Sequence, residues 1–211
     1  MGGVGDLGIS LRIATVVVPV ALYFLILGLL NSRPCPQLLR GRRDFALLIV
    51  ALSPLFVLPV LSWAGGSWLA LAAAAAAGGG GLALLRPPAD SWVIYNITSA
   101  EAVEAVRHAL RAAGLAFEVR DRVFHLPGGA TVDLSPFPLL RNVSICMTPT
   151  ERGASRRFEA ALARRLCTLS AETSPMAMAL LLVAAAMLVA PLAMVAPRAG
   201  EIVRILTGML Y

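Results

Sequence analysis

Four apolar stretches constrain this chain more than any other feature. They run from Ile13 to about Leu30, Phe45 to Trp63, about Ser67 to Leu85 and Met176 to Ala196. Rising 1.5 Å per residue as helices, each is long enough to cross a hydrocarbon layer of roughly 30 Å. Charged residues make up 14% of the chain and apolar ones 58%, whereas soluble domains carry about 25% charged residues. A water-soluble globular protein is therefore excluded. The first stretch is read as retained: Asp6 and Arg12 lead it, no small-residue cleavage site follows, and Arg33 stands where a lipoprotein box needs a small residue.

Arginine sets the expected orientation. The link at 31–44 holds Arg33, Arg40, Arg42 and Arg43, and the next link is little more than Ala64-Gly65-Gly66. Short Arg-rich loops stay on the cytoplasmic side, which places residues 1–12 and the C-terminal segment outside and the long segment 86–173 inside. The inverted topology stays open, because long segments contribute little to the rule. All basic residues are Arg; with the alanine and glycine runs, this suggests a GC-rich bacterial genome and hence an inner-membrane location. Arg33, Arg40, Arg42 and Arg43 are the candidate contacts to anionic lipid headgroups.

No Asp, Glu, Arg or His lies deep in the stretches, although such residues usually mark ion paths. Prolines 19, 54, 59 and 191 would kink the helices. The third stretch runs through six alanines into Gly78, Gly79, Gly80 and Gly81. Small residues allow close helix packing in lipid, so these glycines are a candidate packing or partner face; compositional drift is the plainer reading.

After Pro87-Pro88 the pattern changes. Trp92 to Ile97 reads as a strand, and Thr98 with Glu101 forms a capping box opening a helix that stops at Gly114. Strands follow at about 117–120, 123–126, 130–134 and 140–147, with turns at Arg120-Asp121-Arg122 and Pro127-Gly128-Gly129. Thr148-Pro149-Thr150-Glu151 reads as a second capping box, with proline at the first position of a helix reaching about Leu169. The expected fold is a four-helix membrane bundle (about 13–30, 45–63, 67–85 and 174–196) plus a soluble α+β domain at 86–173. In that domain two helices lie on an antiparallel sheet, broadly ferredoxin-like. Residues 197–211 form a short amphipathic segment on the outer surface.

Chemistry is sparse. His108, His125, Cys146 and Cys167 are widely spaced singletons, unlike the paired ligands of zinc sites, and no nucleophile elbow, phosphate loop or dinucleotide motif occurs. No cofactor or metal is expected. Free thiols suit a reducing compartment, and an inverted chain would allow a Cys146 to Cys167 disulfide. Segment 86–173 nets only +2, and the expected open sheet face lacks stacking aromatics, so nucleic acid is not an expected partner. The leading expectation is a non-catalytic accessory, scaffold or regulatory subunit whose partners are lipid and other membrane subunits or further copies of itself. The alternatives are a transport component shaped by the prolines, and an enzyme on lipid-linked substrate using Asp44 beside the arginines.

Overall fold

The computed structural model describes residues 3–65, 67–120, 123–148, 153–172, 174–196, 200 and 207. Four helices carry the apolar stretches: α1 (Gly3–Asn31), α2 (Gly41–Ala64), α3 (Trp68–Leu85) and α6 (Pro175–Val195). All four are long and apolar enough to cross a membrane. Gly65, in the left-handed region at φ 54°, ends α2, and the Ser67 hydroxyl caps α3 by accepting from the Ala70 N–H.

The other elements form one α+β unit. Strands β1 (Gln37–Arg40), β2 (Ser91–Tyr95), β3 (Glu118–Arg120), β4 (Val123–His125), β5 (Thr131–Phe137) and β6 (Asn142–Met147) make a six-stranded sheet in the order β1-β2-β6-β5-β4-β3. Every pairing is antiparallel. Helices α4 (Ser99–Ala112) and α5 (Ala154–Leu166) share one core with the inward residues of the sheet. Ile94, Phe124, Val132, Val143 and Ile145 face Val106, Leu110, Phe158 and Leu162, all almost fully buried. Trp92 meets Phe158 edge-on with ring centroids 5.5 Å apart, an arrangement worth roughly 0.5–1.5 kcal/mol beyond its buried area.

Two helices on one face of an antiparallel sheet match the sequence pattern, but the strand plan differs. A ferredoxin-like unit runs β-α-β-β-α-β; here four strands meander between the helices, and β6 returns to pair with β2. The sheet also takes β1 from the link between α1 and α2, so the unit is not confined to 86–173. Flanked by Pro36 and Gly41, this four-residue strand is too short to show an alternation of its own.

Helix α4 begins where the capping box placed it. Thr98 accepts from the Glu101 N–H while the Glu101 carboxylate takes the Thr98 N–H, and Gly114 follows at φ 71°. The second expected box is not used as read. The Thr148 hydroxyl accepts from the Thr131 N–H at 2.6 Å, extending the β5–β6 ladder, and α5 starts at Ala154. Pro149, Thr150 and Glu151 lie outside the described residues, as do Asp121 and Arg122 of one expected turn and, apart from Gly200 and Thr207, the C-terminal segment from Pro197.

Packing within the chain does not use the glycine run. A Cβ built on any of Gly78 to Gly81 meets nothing within 4 Å, and α3 has no buried residue. The close approach lies at Gly28, where a Cβ would come within 2.8 Å of the Leu181 side chain and 3.3 Å of the Ala177 carbonyl oxygen. Helix α1 packs on α6 and α2, and α3 packs mainly on α2. A lone glycine among leucines carries less signal than a run of four, yet it is the one pressed against a neighbour.

Gly28→Leu should therefore cost about 1–3 kcal/mol by overpacking, whereas Gly79→Ala should be neutral or gain up to about 1 kcal/mol of helix propensity; thermal unfolding in detergent compares them. The capping box adds a pH signature. Glu101 is held below its ordinary pKa mainly by the Thr98 N–H and then by its hydroxyl, so its contribution is complete above the unfolded value and fades as pH falls through the folded one. The stability gap between the native protein and Glu101→Gln should be open at pH 7 and close on acidification.

Candidate functional site

The groups most concentrated in polar contacts lie where the apolar helices join the sheet. Asn31, the last residue of α1, is buried; its side-chain N–H donates to the Leu27 carbonyl at 3.0 Å, and its Oδ1 accepts the Asn96 N–H at 3.1 Å. Asn96 follows β2 at φ 58°, a region Asn tolerates better than most residues. Its side-chain N–H donates to the Arg33 carbonyl at 2.9 Å. From the segment that follows α5, the Ala171 N–H reaches the Pro34 carbonyl at 2.7 Å.

Helix α2 is tied in a second way. Asp44, in its first turn, accepts a short hydrogen bond from the Tyr95 hydroxyl. Strand alternation turns Tyr95, Val93 and Ser91 away from α4 and α5, toward the base of α2. Burial, and then the neighbouring carboxylate, pushes the Tyr95 phenol well above its ordinary pKa, so the phenol remains the donor. Gly41 completes the joint, because a Cβ there would collide with the Ser91 hydroxyl, itself donated to the Pro88 carbonyl at 2.8 Å.

The arginines divide. Arg40 lies on β1 facing α5 and forms a two-pronged ion pair with Glu159, at 2.9 and 2.8 Å. It clasps the added strand to the domain, although the side chain keeps 56% of its surface exposed. Arg33 donates to Gln37 at 3.2 Å and stays exposed, as do Arg42 and Arg43 in the first turn of α2.

Beside Asp44, between α2, Pro87-Pro88 and the second sheet face, lies a cleft of about 290 Å³. Ser91, Ser135, Ser144 and Cys146 contribute to its lining. Such a surface can hold polar groups by hydrogen bonding but presents no activated nucleophile. Burial, with Asp133 and Asp90 nearby, raises the Cys146 pKa, which keeps it a thiol at neutral pH. His108, His125 and Cys167 are exposed on separate elements. Among the described residues no three His, Cys, Asp or Glu side chains gather where a metal ion could sit. Cys35, Cys146 and Cys167 are free, and Cys146 faces away from the helix that Cys167 follows. A larger groove of about 780 Å³ runs between α1 and α2 past Pro54 and Pro59; Val16, Val17, Leu55 and Leu58 wall it, and among the described residues Arg12 and Ser62 bring the polar side chains.

The chain thus joins four long apolar helices to an α+β unit, with α1 tied to it through paired asparagines and α2 through an aspartate–tyrosine bond. No family model, curated protein or solved structure matches the chain.

The joint is open to measurement. A double-mutant cycle of Tyr95→Phe and Asp44→Asn should give a coupling of about 1.5 kcal/mol, the usual range for a hydrogen bond to a charged group. Additive effects, read from unfolding in detergent, would show that the bond contributes nothing.

Proposed function

We propose that this protein is a non-catalytic, multi-pass subunit of a bacterial inner-membrane complex, acting as a scaffold or regulator through its α+β unit. The observation that carries this reading is α3. It is an apolar helix of 18 residues with no buried residue and four open glycines in sequence. Helices in lipid associate by close packing of small residues, and a second membrane subunit or another copy of this chain would supply what α3 lacks here. On this reading the arginine link and the α+β unit face the cytoplasm, and Arg33, Arg42 and Arg43 meet anionic headgroups.

Use of the polar groups supports a structural role. Asp44, beside Arg42 and Arg43 in sequence, is engaged by Tyr95, and Glu159 by Arg40; an enzyme on lipid-linked substrate would need such carboxylates free. A transport path would need polar groups along the groove at Pro54 and Pro59, whose walls are apolar.

Extraction in a mild detergent followed by light-scattering mass measurement tests the proposal. The expected result is a mass above that of one chain, from partner or self-association, falling to the monomer in Gly79→Leu while the thermal transition of the domain is kept. A native protein that runs strictly as a monomer with nothing bound would overturn it.

A further inference from the structure

The turn between β5 and β6 breaks the usual chemistry of turns. Hairpin connections favour Gly, Asn, Asp and Ser; here Pro136 and Phe137, the last residues of β5, run into Pro138–Leu140 in a single 3₁₀ turn, five apolar residues in succession. Phe137 is 53% exposed and Leu139 63%. Prolines on both sides of Phe137 restrict the backbone, so collapse of the two side chains onto the domain is hindered.

The position of the turn indicates what covers it. The carbonyl of Arg141, which closes it, accepts the Ile97 N–H at 2.8 Å. The preceding residue, Asn96, is bonded to Asn31 at the end of α1. The turn also packs against α6. The domain end of α6 is its start, since Ala177 and Leu181 pack on Gly28, one turn before Asn31. Phe137 and Leu139 therefore project beside the ends of two apolar helices, at the level where those helices would enter a bilayer.

We infer that the Phe137–Leu139 turn is a membrane-contact wedge, inserting its two apolar side chains into the interfacial layer of the leaflet from which α1 and α6 emerge. The occupant is lipid, because the exposed side chains continue the apolar surface of helices already proposed to be in lipid. Such a wedge fixes the tilt of the sheet on the membrane and turns its second face, with the Asp44 cleft, toward the headgroups. This inference rests on the membrane reading of the four helices.

Site-directed spin labelling tests it. In a background of Cys35→Ser, Cys146→Ser and Cys167→Ser, nitroxides are placed by Leu139→Cys, by Arg156→Cys on the exposed side of α5, and by Val183→Cys in the middle of α6. The protein is reconstituted in phosphatidylethanolamine–phosphatidylglycerol vesicles, and collision with oxygen and with a water-soluble nickel chelate is measured. The label at 139 should favour oxygen over chelate severalfold compared with the label at 156. Chelate access at 139 equal to that at 156 would overturn the wedge, and so would shielding from both reagents, which would place the turn against protein. The label at 183 separates the two readings: chelate access there would overturn the membrane reading itself, whereas shielding there with open access at 139 would overturn the wedge alone.

Discussion

The structure depends on the pairing of β1 with β2. Four residues between two apolar helices give their backbone hydrogen bonds to a strand that begins beyond the third, in the register Gln37 to Tyr95 through Arg40 to Trp92. Because of that pairing, the end of α1, the start of α2, the end of α3 and the start of α6 all lie at one unit. Four successive helices crossing one bilayer would have to alternate direction, and a single domain gathering these four ends is compatible with that alternation. Asn31 with Asn96, and Asp44 with Tyr95, then set where each helix leaves the sheet.

The sheet has two faces with different tasks. One carries the hydrophobic core under α4 and α5 and supplies the stability of the unit. The other, built from the alternate residues of the same strands, meets the base of α2 at Ser91, Val93 and Tyr95 and stays polar farther along at Thr131, Asp133 and Ser144. A period of two residues thus assigns each strand position either to folding or to attachment. Arg40 shows the rule: one residue from Leu39, it faces α5 and pairs with Glu159.

Much of this was legible in the residues. The apolar stretches, the Thr98 capping box, the stop at Gly114 and the alternation of the meander rest on local chemistry, and each appears where that chemistry puts it. What was not legible was relational. β1 is a strand only because β2 offers it an edge. Gly28 matters only because Ala177 and Leu181 lie opposite, whereas a side chain added at any of the conspicuous Gly78 to Gly81 would enter open space. Asp44 was visible as a carboxylate at a helix start, but its partner stands more than fifty residues along the sequence and is fixed by strand parity. The Thr148 hydroxyl had two possible employments, helix cap or ladder extension, and sheet register decided between them.

The added strand also bears on how the molecule is made. During synthesis Leu38 and Leu39 appear early, while their partners Val93 and Ile94 follow only after two more apolar helices have been laid down. Until then β1 is a short strand without an edge to join, and once β2 emerges its apolar Trp92-Val93-Ile94 edge is best covered by the segment already anchored nearby. An uncovered strand edge invites pairing with other chains. Holding the covering strand in place beforehand, between two helices, keeps that edge from being offered to a stranger.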